Sequence, residues 1–200
     1  SDLCCTYTNC FGTLDEKDYS SVSIDDYMTA YKAVRTLIDL GHKRIAVVAP
    51  ATDDRSISEL RYKGYRAALE DGGLDFDPEL LVETEGFFEM PKAYEGTVKL
   101  AERGPDFSAV FALSDTTALA AMKALEDCGR KVPEDCSVIG IDGLTVSEYA
   151  NPTLTTMVQP VEEMGRQSVA ILADMIEQRR KSCHLRLEAC LRPGGSVRKI

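Results

Sequence analysis

The fold is decided by residues 132–160, which read VPEDCSVIGIDGLTVSEYANPTLTTMVQP. Within them, Cys136–Ile141 form a short apolar run, which is typical of a strand buried on both faces of a sheet. This run ends at Asp142, and a second strand, rich in β-branched residues, is predicted over Thr153–Val158. Ligands bind at the carboxyl ends of strands in an open α/β sheet. Asp142 is therefore predicted to lie where its carboxylate accepts hydrogen bonds from a small molecule.

Strands and helices alternate along the rest of the chain. Buried strands are predicted at residues 45–49 and 109–113, and helices at about 27–40, 58–71, 91–103, 117–128 and 161–178. Shorter strands are predicted at 21–24, 80–84 and 185–191, the last of them an edge strand. This alternation predicts an α/β fold with a doubly wound, Rossmann-like parallel sheet.

Polar side chains follow three of the predicted strands at the point where each strand ends. They are Asp25, the Ser114–Asp115 pair and Asp142. Because the carboxyl ends of parallel strands meet at one edge of a sheet, we expect acids and hydroxyls along one rim, around a small polar molecule.

Composition places the chain among folded, soluble, acidic proteins. It has 200 residues, 44% of them hydrophobic and 28% charged, and a formal net charge of −10. This length is sufficient for one core or two small lobes. The negative charge disfavours nucleic-acid binding by this segment alone, because it repels phosphate. No apolar run approaches the ~20 residues that span a membrane, and no signal peptide is recognised, so we expect a cytoplasmic protein with no membrane partner.

The seven cysteines are expected to be reduced thiols, several of them small core residues. Their number is odd, their spacing is irregular and no Cys-x-x-Cys pair occurs, which disfavours disulfides and zinc. The sequence also contains no Gly-x-Ser-x-Gly, no phosphate-binding loop and no His-Glu-x-x-His. We therefore predict no enzyme, no cofactor and no metal, and keep an α/β enzyme with an unrecognised site as a lesser alternative.

Five motifs resemble signatures of the LacI/GalR transcriptional repressors. They are GHKRIA at 41–46, RYKGY at 61–65, FALSD at 111–115, VPED at 132–135 with VIGID at 138–142, and LTT at 154–156 with QP at 159–160. They follow the family's order and spacing over about residues 22–160. The resemblance implies the C-terminal part of a periplasmic-binding-protein-like effector domain. Such a domain has two Rossmann-like lobes joined by three crossovers, with a ligand in the cleft.

The resemblance also implies a division of the chain into four parts. Residues 1–20 would be a remnant of the N-terminal lobe and crossover, and residues 21–153 the C-terminal lobe. Residues 154–182 would be the crossover strand and helix of the N-terminal lobe, and residues 183–200 the strand returning to the C-terminal lobe. The family's helix-turn-helix precedes this domain, and the chain is expected to be a fragment that lacks it.

The helix at about 161–178 is expected to lack most of the sheet on which it packs in a complete lobe. Its apolar face, formed by Met164, Val169, Leu172 and Ile176, is predicted to fold back or to cover a neighbouring chain. We therefore expect self-association, in the form of a homodimer.

Asp142 and Arg61 match the family's effector-binding aspartate and arginine. The Arg61 guanidinium offers a rigid fork of donors for vicinal hydroxyls or a carboxylate; a salt bridge with Glu59 or a solvated position is the alternative. For Asp142, the alternative is a structural cap on the following turn. Ser114 stands where the family often has asparagine, and its shorter hydroxyl donates only one proton, so the ligand contact is expected to differ. Asp115 is expected to orient the local backbone or to cap the next helix.

Five weaker candidates complete the predicted ligand-binding set. Phe87 or Phe88 would stack on a sugar ring or a base, with core packing as the alternative. Tyr149 is expected to line the cleft or to fill the lobe interface. Arg55 and Asn9 are the last predicted ligand contacts.

The predicted function is that of a ligand sensor. An effector closes the cleft and thereby moves the attached DNA-binding domains, which contact operator DNA through the helix-turn-helix. A small sugar, a sugar phosphate or a nucleobase would suit the predicted groups, and the net charge disfavours none of them once Arg61 lies at the site. The alternative is a periplasmic-type sugar-binding receptor of a transporter, which would be exported and carry few free thiols.

Overall fold

The computed structural model describes residues 19–50, 57–84, 88–177, 179 and 182–200, and the backbone of residues 8–9. The strands in this part of the chain are Thr8–Asn9 (β1), Ser20–Ile24 (β2), Ile45–Pro50 (β3), Leu81–Thr84 (β4), Ala109–Ala112 (β5), Ser137–Asp142 (β6), Thr155–Val158 (β7), His184–Leu187 (β8) and Cys190–Arg192 (β9). The α-helices are Asp26–Asp39 (α1), Ile57–Asp71 (α2), Met90–Arg103 (α3), Asp115–Asp127 (α4) and Val161–Ile176 (α5). Short 3-10 helices occur at Pro78–Leu80 and Thr145–Glu148. The alternation confirms the predicted α/β class.

Two compact units share the chain. The larger unit comprises Asp26–Val158 and Cys190–Ile200, and the smaller comprises Ser1–Asp25 and Gln159–Ala189. The chain therefore passes between the units three times, and neither unit is a single continuous segment.

The larger unit is built on a six-stranded sheet in the order β4-β3-β5-β6-β7-β9. The first five strands are parallel, and β9 runs antiparallel to β7, with Cys190 opposite Val158. Parallel neighbours need long crossover connections, which α2, α3 and α4 supply. Helices α1 and α2 pack on one face of the sheet, and α3 and α4 on the other. This is the doubly wound arrangement that the sequence predicts.

The side chains of β3 are all buried, because helices cover both faces of the sheet. Ala46 and Val48 pack in the core beneath α3 and α4, whereas Ile45, Val47 and Ala49 pack in the core beneath α1 and α2. Successive side chains of a strand point to opposite faces, so a strand covered on both sides has a continuous apolar run. Burial on both faces therefore explains the apolar run from which β3 is predicted as a buried strand.

The smaller unit contains a three-stranded parallel sheet in the order β1-β2-β8. Helix α5 folds back on this unit through Met164 and Ile171, which are buried with side chains of β2. Val169 and Ile176 lie elsewhere on the helix and are 70% and 65% exposed. The predicted apolar face is therefore divided between packing within the unit and exposure to solvent.

Two predicted segments and one predicted strand differ from this arrangement. β2 falls in the predicted segment 21–153, but it pairs with β8 and belongs to the smaller unit. β7 falls in the predicted segment 154–182, but it pairs with β6 and belongs to the larger unit. The predicted edge strand 185–191 is two strands, β8 and β9, in different sheets. Residue alternation identifies a strand but not its partners, which are distant in sequence.

At the amino ends of the strands, His42 connects distant parts of the larger unit. Its Nδ1 lies 2.9 Å from Ser108 Oγ, and its Nε2 lies 3.0 Å from the carbonyl oxygen of Arg198. Because a carbonyl only accepts, Nε2 carries the proton and Nδ1 accepts from the serine hydroxyl. Burial lowers the pKa of His42, against the opposing effect of the bond to Arg198. Nearby, Ser196 Oγ donates to the Val138 carbonyl at 2.6 Å, which anchors the C-terminal residues to β6.

Candidate functional site

The strongest predicted site residues meet at the carboxyl edge of the larger sheet. Asp142 is the last residue of β6, and Ser114 follows β5 and caps α4. Arg61 reaches the same edge from α2, and Asp26 from the first turn of α1. This edge is where an open α/β sheet binds ligands.

The Arg61 side chain is buried, with only 4% of it exposed. Its Nε donates to Asp26 Oδ1 at 2.8 Å. Its Nη1 donates to the Leu113 carbonyl oxygen at 2.5 Å and to Asp142 Oδ1 at 3.3 Å. Glu59, the alternative partner considered for Arg61, instead forms an i,i+4 pair along α2. The two aspartates offset the desolvation cost of a buried guanidinium.

Asp142 has an unusual backbone conformation for an aspartate. Its φ is +132°, and that of the following Gly143 is +78°. Non-glycine residues rarely adopt positive φ, and such strain concentrates at functional sites. A Cβ atom on Gly143 would lie 2.7 Å from Cγ1 of Val158, so only glycine fits there. The turn holds the Asp142 carboxylate beside Arg61 and leaves 22% of the aspartate side chain exposed.

Asp115 is a fully buried carboxylate that braces the turn after β6. Its Oδ2 accepts from the Leu144 amide at 2.8 Å, and its Oδ1 accepts from Thr156 Oγ1 at 2.5 Å. Its own amide donates to Asp142 Oδ2 at 3.4 Å. Burial raises the pKa of Asp115 and the Asp142 charge adds to this effect, whereas the bonds from Thr156 and Leu144 lower it. Of the two predicted roles, backbone orientation is the one that these contacts support.

Ser114 caps helix α4. Its Oγ accepts from the Thr117 amide at 3.2 Å, and the Thr117 hydroxyl accepts from the Ser114 amide at 3.3 Å, which is a capping box. The Ser114 residue is 2% exposed. The contacts of this serine are therefore structural, and its direct contact with a ligand stays a prediction.

The weaker candidates fall into two groups. Phe88 is partly buried against the core beneath α1 and α2, with its ring centroid 5.9 Å from the guanidinium carbon of Arg61. Tyr149 is 84% exposed. The predicted contacts Phe87 and Arg55 lie outside the described residues, and Asn9 is described only as backbone of β1, in the smaller unit.

Sequence reasoning missed Asp26 and Thr156. The signal for Asp26 is its position as the second acid after β2, but the strand-end rule selects Asp25, which comes first. Asp25 belongs to the smaller unit, where its Oδ2 lies 3.5 Å from an Arg186 nitrogen. Thr156 gives no signal of its own, because a threonine in a strand is ordinary and its partner Asp115 lies 41 positions away.

The described part of the chain contains no metal-ligand group, no membrane-spanning helix and no disulfide bond. Within it, no group of three or more His, Cys, Asp and Glu side chains could hold a metal ion, and no helix is long and apolar enough to cross a bilayer. Its cysteines, which are Cys128, Cys136, Cys183 and Cys190, are free thiols. Burial raises the pKa of Cys136 to about 12, which makes this thiol a core residue of low reactivity.

Sequence comparison relates the chain to known regulators. The model of the periplasmic binding protein-like domain matches residues 34–197. The HTH-type transcriptional regulator MalR of Clostridium butyricum is 39% identical over 183 residues, which are 92% of this chain and 54% of that protein. The regulator CelR of Thermobifida fusca is 40% identical over 161 residues, which are 80% of this chain and 46% of that protein. The chain thus spans about half the length of the curated relatives it matches.

Solved structures share the fold. The complex of the transcriptional regulator CelR with cellobiose superposes with a TM-score of 0.86 at 37% identity, over 95% of this chain and 58% of that one. A sugar-binding transcriptional regulator of the LacI family from Escherichia coli, complexed with phosphate, gives a TM-score of 0.84 at 32% identity, over 95% of this chain and 68% of that one.

Proposed function

The chain belongs to the periplasmic binding protein-like domain family, in the form carried by LacI-type transcriptional regulators, and from this we propose that it senses a small effector for such a regulator. The effector is a sugar or a related metabolite. The relatives' names support a regulator rather than an enzyme or a transporter receptor. This agrees with the predicted sensor function and with the prediction that the chain is not an enzyme.

The observation that carries this proposal is the contact between Arg61 and Asp142 at the carboxyl edge of the larger sheet. Their closest side-chain atoms are 3.3 Å apart, and Asp142 keeps part of its surface exposed. A carboxylate held rigidly by a guanidinium and a backbone amide is preorganised to accept hydrogen bonds from ligand hydroxyls. The CelR relative, which is complexed with cellobiose, supports a sugar as the effector class.

Operator DNA is the second proposed partner, and the full-length protein acts on it in the cytoplasm. Both curated relatives are named as HTH-type regulators, and the matched residues are only 54% and 46% of their lengths. The formal net charge of −10 makes this 200-residue chain by itself a poor binder of DNA. Contact with DNA is therefore assigned to a helix-turn-helix in the full-length protein.

The test uses the full-length regulator. A thermal-shift screen of sugars and purines first identifies a ligand, because specific binding to the native state raises its stability. Asp142→Ala and Arg61→Lys are then compared with wild type for ligand affinity by calorimetry and for operator binding by fluorescence anisotropy. We expect both variants to keep operator binding and to bind the ligand at least about tenfold more weakly, as the loss of one charged hydrogen bond implies.

Glu134→Gln is the matched control, because this acid is exposed at the amino end of β6, away from the site edge. It should leave both affinities unchanged. Wild-type ligand affinity in Asp142→Ala would show that the sheet edge is not the effector site.

We further propose that the protein is a homodimer and that α5 contributes to the contact. Val169 and Ile176 are large apolar side chains that are exposed on this helix, whereas large apolar residues are more often buried. Sedimentation equilibrium of full-length protein should give a dimer that Val169→Glu together with Ile176→Glu weakens, whereas Glu162→Lys on the same helix does not. A monomeric wild type would disprove the proposal.

A further inference from the structure

Arg192 holds the short 3-10 helix that follows the Asp142 turn. It lies on β9, and its Nη2 donates to Ser147 Oγ at 2.6 Å and to the Leu144 carbonyl oxygen at 3.4 Å. Its Nη1 donates to Glu148 Oε1 at 2.6 Å. Leu144 immediately precedes this helix, and Ser147 and Glu148 belong to it. One planar guanidinium therefore bonds three positions of a short stretch, residues 144–148.

Leu144 is held through both polar groups of its backbone. Its amide donates to Asp115 Oδ2 at 2.8 Å. Its carbonyl oxygen accepts from the Ser147 amide at 3.1 Å and from Ser147 Oγ at 2.6 Å. Because a hydroxyl has one proton, which Ser147 gives to Leu144, the bond from Arg192 is one that this hydroxyl accepts. Asp115 thus fixes one side of residue 144, and Arg192 together with Ser147 fixes the other.

These two holding groups are joined through one pair of strands. Arg192 is directly opposite Thr156 in the antiparallel pair of β7 and β9, so their side chains share a face of the sheet. Thr156 Oγ1 donates to Asp115 Oδ1 at 2.5 Å, and the Asp115 amide donates to Asp142 Oδ2 at 3.4 Å. A closed ring of contacts therefore runs from Arg192 through residues 144–148 to Asp115, Thr156 and back, and Asp142 is bonded to it.

The energetics of Arg192 favour a geometric role over a stabilising one. Its side chain is 26% exposed and that of Glu148 is 52% exposed, so their ion pair contributes little to stability. Its Nε is buried and has no hydrogen-bond partner among the described residues, which opposes stability. What the guanidinium supplies is a rigid fork that reaches three acceptors at once, which the single ammonium of a lysine cannot do.

We propose that Arg192 is a positioning residue for effector binding, which acts by holding residues 144–148 and through them the Asp142 carboxylate. This rests on the proposed function, in which Asp142 binds the effector. Asp142 and Gly143 have φ values of +132° and +78° and connect β6 to the held stretch. Because positive φ is unfavourable for an aspartate, this connection keeps its shape only while both of its ends are fixed. The sheet fixes one end, and Arg192 contributes to fixing the other.

Hydrogen exchange of the full-length protein without ligand is the first test. Arg192→Lys keeps the charge but loses the fork, so the amides of residues 143–149 should exchange at least about fivefold faster, as the loss of one hydrogen bond implies. Arg35→Lys is the matched control, because Arg35 is 31% exposed and pairs with Asp39 on α1. It should leave exchange of this stretch unchanged. Wild-type exchange in Arg192→Lys, or an acceleration spread equally over the larger sheet, overturns the proposal.

Cellobiose, which is bound in the complex of the CelR relative, is the probe of the second test. Calorimetry measures its affinity for the full-length wild type, Arg192→Lys, Asp142→Asn and the double variant. Arg192→Lys should weaken binding about threefold to tenfold in the wild type. It should have little further effect in Asp142→Asn, because a residue that acts through Asp142 is not additive with it.

An equal loss of affinity in both backgrounds would show that Arg192 acts independently of Asp142 and overturns the proposal, while leaving the proposed function standing. If the wild type binds the operator but not cellobiose, it is cellobiose sensing that fails. The exchange result then decides by itself whether Arg192 holds the Asp142 turn.

Discussion

Gly140 and Asp115 lie so close together that residue 140 has no room for a side chain. A Cβ atom there would lie 2.8 Å from Asp115 Oδ1 and 3.2 Å from the Cβ atom of Ala118. The glycine in the centre of β6 therefore admits the buried carboxylate that braces the Asp142 turn. This relationship links an unremarkable strand residue to the geometry of the proposed site.

Gly140→Ala is expected to destabilise the protein by about 1–3 kcal/mol, the usual cost of forcing extra volume into a packed core. The measurement is the free energy of unfolding in urea. Gly165→Ala is the matched control, because the same substitution in α5 meets no atom within 4 Å. Helix propensity predicts that this control is more stable by about 0.5–1 kcal/mol. Equal stability of Gly140→Ala and wild type would contradict the steric argument.

Thr156→Val removes the hydroxyl that donates to Asp115 Oδ1 and keeps the shape of the side chain. The buried carboxylate then loses a donor, which should cost about 1–3 kcal/mol. The control is Thr36→Val, whose hydroxyl bonds to a carbonyl within α1 at a partly exposed position. Thermal unfolding of both variants compares the two losses. A larger effect at residue 36 would show that Asp115 does not depend on Thr156.

Asp26→Ala is expected to be the most destabilising of these substitutions. It leaves the buried Arg61 guanidinium without its nearest carboxylate, and breaking a buried pair in this way costs about 3–5 kcal/mol. Asp39→Ala breaks the i,i+4 pair with Arg35, in which the Asp39 side chain is 64% exposed, and should cost no more than about 1 kcal/mol. Urea unfolding distinguishes the two. Similar costs for both pairs would indicate that Asp26 and Arg61 are solvated in solution.

His42 makes stability depend on pH. Because burial lowers its pKa in the folded state below the ordinary 6.5, the unfolded state binds more protons once the pH falls below that value. The free energy of unfolding should therefore decrease as the pH falls from about 6.5 towards the folded-state pKa, and the His42 contribution should be constant at higher pH.

The check is urea unfolding of wild type and His42→Asn at about pH 5.5 and pH 7.5, on either side of the unfolded-state pKa. The variant should lose part of the pH dependence, whereas His184→Asn should leave the His42 contribution in place. An unchanged pH dependence in His42→Asn would assign it to other groups.

Much of this architecture was predictable from sequence, because burial leaves a direct mark on composition. The strands β3, β5 and β6 are continuous apolar runs, and the strand-end rule places Asp142 and Ser114 on one edge. Arg61 is assigned to the site by the resemblance and by its position at the start of α2, since nothing in the periodicity of α2 shows where its side chain reaches.

What sequence reasoning missed consists of long-range pairings. The contacts of Asp26 with Arg61 and of Thr156 with Asp115 join positions separated by 35 and 41 residues. Local propensity carries no information about such pairs. Gly64 illustrates the same limit, because its motif is recognisable but its cause is a close approach of two helices: a Cβ atom there would lie 2.2 Å from the Tyr27 carbonyl oxygen.

The three passages of the chain between its units have a practical consequence for protein engineering. Val158 and Cys190 flank the segment Gln159–Ala189 of the smaller unit, and they are also opposite partners in the antiparallel pair of β7 and β9. Antiparallel neighbours can be joined by a tight two-residue hairpin such as Asn-Gly. Replacing Gln159–Ala189 with that turn, and starting at Asp26, would convert the larger unit into one uninterrupted polypeptide for use as a minimal scaffold.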